Sequence, residues 1–264
     1  TTAICPISEC WTPTLRSMQD FELYGYSLFE TFLAQQGRFW LLDRHFRRLQ
    51  QSAQACGLQA PEWHEFLELI QAAHDATGSE VMRFTLLKGG GRWSGDPVGT
   101  FSRVMKKQAG KIADSPLRLQ IAPRRLACND EERCHKTGSR LWYQQAFDQV
   151  RAQGFDDCLF LDQQGRLLET AIGNLFVCCD SRWFTPAVDL GLLPGIARGW
   201  AMDQMHIQLD EIHIDQLGLI QAMAVSNSVT GFRPVQSLGT QLFSLEKAKA
   251  FINCLGERKY EPLS

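Results

Sequence analysis

Four stretches of this 264-residue chain carry side chains that could do chemistry if the fold brought them together. Lys136-Thr137-Gly138-Ser139-Arg140-Leu141 offers an amine, and a lysine amine becomes a nucleophile and a base once desolvation lowers its pKa. Glu169-Thr170-Ala171-Ile172-Gly173-Asn174-Leu175-Phe176 offers a carboxylate with an amide five residues on. Leu193-Pro194-Gly195-Ile196-Ala197-Arg198 sets a Pro-Gly turn at the start of an expected helix, with Ser226-Asn227-Ser228 downstream. Free N–H groups and the dipole at such a helix start suit an anion such as phosphate. The last stretch joins Tyr24-Gly25 and Phe29-Glu30-Thr31 to Leu42-Asp43-Arg44-His45-Phe46-Arg47-Arg48-Leu49. Taken singly, each has an ordinary explanation: lysine and glutamate mostly sit solvated on surfaces, and Pro-Gly is mostly a plain turn.

The elements that must hold these residues can be read from periodicity. Residues 28–33 and 39–42 around Gln35-Gln36-Gly37 predict a hairpin. Asp43 stands where an N-cap is expected, with Phe46, Leu49, Ala53 and Cys56 at helical spacing and Gly57 able to close the helix. Phe46 and Leu49 then face inward, Arg48 falls at the boundary between lobes, and Arg44 and Arg47 lie on the solvated face. A second helix follows Pro61, with Trp63, Phe66, Leu67, Ile70 and Ala73 as its apolar stripe. A strand at 81–87 stops at Gly89-Gly90-Gly91, and the polar run 105–116, ending in Pro116, reads as a linker. Beyond it the pattern predicts strands at 117–122, 175–179, 183–185 and 222–226 and a hairpin of 158–161 with 167–170. Helices are expected at about 138–154, from 195 to about 207 and at 245–254. The sum is an α/β (α+β), two-lobed chain: a smaller N-terminal domain, 1–106, a linker, 107–112, and a larger C-terminal domain, 113–264.

Composition removes other classes. A net charge of −2 leaves no basic excess for a nucleic acid partner. No apolar run approaches the ~20 residues of a membrane span, and the N-terminal residues do not read as a secretory signal. The nine cysteines are odd in number, contain no C-x-x-C, and include adjacent Cys178 and Cys179, so reduced thiols in a cytoplasmic protein are expected. The six histidines show no metal-ligand spacing. No G-x-G-x-x-G or P-loop motif is present.

In this order and spacing the stretches resemble the class IV pyridoxal-phosphate enzymes, over roughly residues 24–235. The most specific part is E-x-x-x-x-N-x-F, then T-P, then L-P-G-I-x-R. The resemblance implies a fold type IV architecture whose larger lobe binds pyridoxal 5′-phosphate. Lys136 is then the amine that holds the cofactor as a Schiff base and moves protons, and Glu169 the carboxylate at the ring nitrogen. Arg48, matching H-x-x-R-L, contacts the phosphate together with Gly195, Ile196, Ala197 and Ser228, and Asn174 belongs to the cofactor-binding set. Tyr26, Leu33 and Ser139 depart from the family pattern, and Ala197 stands where aminotransferases often carry threonine.

Within the family, Lys136 with Arg140-Leu141, Gly90-Gly91-Arg92-Trp93-Ser94 and Ser226-Asn227-Ser228 are similar to the aminodeoxychorismate lyases of folate synthesis, which release pyruvate and 4-aminobenzoate. Arg92, Arg83, Tyr24 and Asn227 are the substrate-binding candidates. The alternative is an aminotransferase for a branched-chain or D-amino acid, for which Arg83 stands where the branched-chain enzymes carry an arginine. A reading of another class is a non-catalytic relative acting as a binding module, against which the retained Lys136 and Glu169 count. The resemblance also implies a small-molecule substrate and a homodimer.

Overall fold

The computed structural model describes residues 19–75, 78–94, 96–110 and 115–263. In chain order the elements are α1 (Asp20–Tyr24), β1 (Ser27–Gln35), β2 (Arg38–Phe39), α2 (Leu42–Ala55), α3 (Trp63–Ala73), β3 (Ser79–Gly89) and β4 (Gly99–Gln108). Then come β5 (Leu117–Ile121), α4 (Leu141–Ala152), β6 (Asp157–Leu161), β7 (Leu167–Thr170), β8 (Asn174–Cys179), β9 (Arg182–Pro186) and α5 (Ile196–Gln204). The chain ends with β10 (Gln208–Asp210), β11 (Ala222–Asn227), β12 (Gly231–Leu238), β13 (Gln241–Leu242), α6 (Leu245–Leu255) and β14 (Glu261–Pro262).

The first sheet runs β14-β2-β1-β3-β4. Its two faces follow from the period of two along a strand. Leu28, Phe32 and Ala34 of β1 and Met82, Phe84 and Leu86 of β3 pack with Phe46, Leu49, Phe66 and Ile70 of α2 and α3. The intervening residues, Phe29, Thr31, Val81 and Arg83, face the opposite way and line a cavity. Register explains why they meet: Thr31 stands opposite Arg83, and Val81 opposite Lys107 of β4.

The second sheet runs β10-β9-β8-β11-β12-β5-β6-β7, and an additional β7–β8 pairing closes β5 to β8, β11 and β12 into a barrel. Leu159, Leu161, Leu175, Val177, Met223 and Val225 fill its interior. The alternate residues are buried too: Cys158, Phe160 and Leu168 lie under α4, and Phe176 and Ala224 pack with Ala201 of α5 and Phe251 of α6. Strands covered on both faces read as continuous apolar runs.

The linker expectation is corrected in part. Residues 107 and 108 are the end of β4, an edge strand whose last residues are exposed and therefore polar, while 111 and 112 lie outside the described residues. Asp43 is not the N-cap of α2: Leu41 is, with φ +55°, and Asp43 lies in the first turn. The expected helix at 138–154 begins only at Leu141. The residues read for a secretory signal lie outside the described ones. Among the described residues no helix is long and apolar enough to cross a membrane, and Cys56, Cys128, Cys134, Cys158, Cys178, Cys179 and Cys254 are free thiols.

Candidate active site

The segment carrying Lys136 is tied to the first lobe through its backbone. The Phe29 N–H donates to the Lys136 carbonyl at 2.9 Å, the Gly138 N–H to the Ser27 carbonyl at 2.8 Å, and Leu28 bridges Thr137. This pairing uses the stretch of β1 that β2 leaves free. It sets Lys136 between the lobes, on the wall of a cavity of about 760 Å³. Its Nζ lies 4.6 Å from the centroid of the Phe29 ring, over which the Arg83 guanidinium also sits at 3.5 Å. Burial lowers the Lys136 pKa first, the Arg48 and Arg140 charges lower it further, and it falls to about 7. The neutral amine is the nucleophilic form. The cofactor-free protein is therefore expected to condense with an aldehyde at a rate that rises through pH 7 and then levels. Stopped-flow absorbance across pH checks this, and a midpoint near that of a free lysine, about 10.4, would contradict it.

Glu169, at the end of β7, lines the same cavity and is only 3% exposed. The Tyr143 hydroxyl donates to its Oε1 at 3.1 Å, while Asn174 Nδ2 and the Leu193 N–H donate to Oε2 at 3.3 and 3.2 Å. Burial raises the Glu169 pKa against the opposing Arg140 charge and these donors. Asn174 also donates to the Leu193 carbonyl at 2.9 Å, so it fastens Glu169 to the loop that opens α5.

That loop brings a helix start to the cavity wall. Gly195 is the N-cap of α5 with no side-chain cap, which leaves the first N–H groups of the helix without intrahelical partners. Arg198 in the first turn is buried, donating to Thr185 Oγ1 and the Pro186 carbonyl, and burial lowers its pKa to about 10. Arg48 of α2 reaches across the lobes to donate to the Pro194 carbonyl at 2.9 Å. Ser226 Oγ is buried on the cavity wall with no hydrogen-bond partner among the described residues. Gly195 has a steric reason to be glycine: an added Cβ would stand 1.8 Å from Asn174 Oδ1. Gly195→Ala is expected to cost about 1–3 kcal/mol by overpacking and to loosen Asn174 from Glu169. Thermal unfolding reads the first effect, and an unchanged Tm would contradict it.

Of the residues singled out in the sequence, Lys136, Glu169, Arg48, Asn174, Gly195, Ile196, Ala197, Ser228, Arg83 and Asn227 line this one cavity. Asn227 spends its Oδ1 on the Val229 and Thr230 N–H groups and so shapes the turn that presents Ser228. Arg92 and Tyr24 do not line it. Arg92 is exposed on the loop after β3, and Tyr24, 56% exposed, borders a separate cavity of about 610 Å³. Neither Tyr26, which donates to the Cys56 carbonyl, nor the buried Leu33 lines the main cavity, while Ser139 donates to the Tyr24 carbonyl. Residue patterns alone missed Tyr143 as the partner of Glu169 and Arg140 as a cavity guanidinium. The stripe Tyr143, Ala146, Val150 on α4 is the one signal that turns Tyr143 inward.

The donor set fits a phosphorylated aldehyde with a basic ring nitrogen: an amine of lowered pKa, a buried carboxylate with no ion pair among the described residues, and an uncapped helix start beside a buried hydroxyl that has no partner among them.

Residues 27–238 match the family model described as amino-transferase class IV. The chain is 22% identical over 227 residues to an aminodeoxychorismate lyase of Vibrio harveyi, covering 81% of this chain and 84% of that one. It is 28% identical over 194 residues to a Rickettsia typhi protein provisionally named a branched-chain-amino-acid aminotransferase, covering 66% and 63%. A Legionella pneumophila crystal structure, whose name proposes a 4-amino-4-deoxychorismate lyase, superposes with a TM-score of 0.80 at 24% identity, covering 92% of this chain and 95% of that one.

Proposed function

The chain belongs to the class IV aminotransferase family, a pyridoxal-phosphate-dependent family, and from that premise we propose that it is a lyase for 4-amino-4-deoxychorismate, yielding pyruvate and 4-aminobenzoate. The observation that carries the choice of substrate is a pair of cavity-lining guanidiniums, Arg83 and Arg140, neither ion-paired among the described residues. Arg83 stacks on Phe29, its Nε without a partner among the described residues; Arg140 stacks on Tyr143 at 3.8 Å. Burial and the Arg140 charge hold the Arg83 pKa below the ordinary guanidinium value. Two cations on one cavity wall that repel each other call for two carboxylates, and planar forks suit them. The proposed substrate has two; a branched-chain amino acid has one. Of the substrate-binding candidates, Arg92 lies outside the cavity, and Arg140 joins Arg83 in its place.

When bound, the cofactor supplies an aldehyde for an amine and a ring that draws electrons from the substrate carbon. Arg48, the N–H groups opening α5, Ser226 and Ser228 would hold its phosphate. Glu169, its orientation fixed by Tyr143, Asn174 and the Leu193 N–H, would hold a positive charge on the ring nitrogen. Lys136 Nζ, its pKa lowered to about 7, would be the amine that meets the aldehyde and the base that carries protons to and from the substrate carbon. Loss of pyruvate leaves an aromatic ring, which drives the reaction forward.

A second reading, an aminotransferase for a branched-chain or D-amino acid, is favoured by the Rickettsia relative and by Arg83 on β3. A substrate panel tests the two. Equal amounts of pyruvate and 4-aminobenzoate from aminodeoxychorismate alone are expected; ping-pong exchange between an amino acid and 2-oxoglutarate, with no 4-aminobenzoate, would overturn the lyase. The same reading takes the protein as a cytoplasmic homodimer with lobes dividing between β4 and β5. Phe101 and Met105 on the outer strand β4, 55% and 43% exposed, support a covered face there.

A further inference from the structure

Behind Arg48 lies a carboxylate with no part in the chemistry above. Glu30, 1% exposed on β1, points among the helices and accepts from Arg48 Nε at 2.7 Å on Oε1 and from Nη2 at 2.6 Å on Oε2. His45, fully buried one turn earlier on α2, sets its Nδ1 2.7 Å from the same Oε2, and its Nε2 has no partner among the described residues. We propose that Glu30 is the positioning residue that aims Arg48 into the anion seat, and so sets the preference for a phosphorylated over an unphosphorylated carbonyl ligand. This rests on reading the cavity as a seat for pyridoxal phosphate.

The argument is one of counting and geometry. A guanidinium has five N–H groups in one plane. Glu30 takes two of them side-on and the Pro194 carbonyl takes a third, leaving one on Nη1 and one on Nη2. The fork is pinned on one side by β1 and on the other by the residue that precedes the first turn of α5. Its two remaining donors therefore have a fixed direction relative to the N–H groups of α5, with which they share the cavity. Bidentate pairing gives this geometric control; a single charge would not. Burial alone would raise the Glu30 pKa, but Arg48 and the His45 hydrogen bond outweigh it and hold it at about 2, so the clamp stays charged at working pH. His45, its own pKa lowered by burial, supplies the hydrogen bond without adding a charge beside Arg48.

The test compares affinities of the full chain, freed of cofactor, for pyridoxal 5′-phosphate and for pyridoxal, with circular dichroism to verify folding. Wild type is expected to prefer the phosphorylated ligand strongly. Glu30→Gln turns an acceptor into a donor that faces Arg48 or His45, and it is expected to reduce the preference about tenfold or more, with pyridoxal affinity nearly kept. Should that variant fail to fold, Glu30→Asp retains the charge and both acceptors but withdraws them by one methylene, and the same loss of preference is expected. A wild-type preference near unity would overturn the phosphate seat itself. A strong preference that both variants keep, or an equal loss for both ligands, would overturn the role of Glu30 and leave the seat standing.

Discussion

Lys136→Ala is expected to abolish turnover and covalent retention of the cofactor together, with turnover falling at least about 10⁴-fold, because one amine serves as both attachment point and proton carrier. The site contains no second amine in the same setting. Lys107, the other lysine on the cavity wall, lies on the exposed edge strand β4. Lys136 by contrast is desolvated, flanked by Arg48 and Arg140, and backed by the Phe29 ring. The fold is expected to survive, since the contacts that tie this segment to β1 are backbone ones. Turnover of aminodeoxychorismate and cofactor absorbance after gel filtration measure the two losses. Covalent retention in the variant, or turnover above a few per cent, would contradict the assignment.

Glu169→Gln is expected to lower kcat by about 10²–10³, the usual cost of removing one preorganised electrostatic partner, while cofactor affinity changes far less. Three donors converge on this carboxylate, from Tyr143, Asn174 and the Leu193 N–H. A neutral amide of the same shape keeps the packing but no longer stabilises a positive ring nitrogen, and one of its ends turns donor against donor. Steady-state kinetics beside a cofactor titration separates the two effects. A loss confined to cofactor affinity, with kcat intact at saturation, would show that Glu169 only binds.

Much of the barrel was legible in the sequence because its strands are apolar on both faces and break at turn residues; Leu159 and Phe160 point to opposite cores, yet both are apolar. Edge and irregular strands were not. β4 read as a polar linker because its outer residues meet solvent. β12 escaped notice because Pro234 interrupts its pattern. Yet Pro234 lies opposite Ala224 of β11, and pairing with β5 begins only at Val235, so its missing N–H breaks no bond on that side. For the site, the local motifs around Lys136, Glu169 and Gly195 pointed to one cavity. Partnerships that span the fold were invisible to spacing: Tyr143 lies 26 residues from Glu169, and Arg48 lies 146 from Pro194. Arg92 shows the opposite failure, a motif residue that the loop turns toward solvent.

The most direct measurement is chemical. The chain is incubated with pyridoxal 5′-phosphate, reduced with borohydride, digested and mapped by mass spectrometry. A single label on the peptide that carries Lys136 is the predicted result; a label on another lysine, or none at saturating cofactor, would contradict the account at its root.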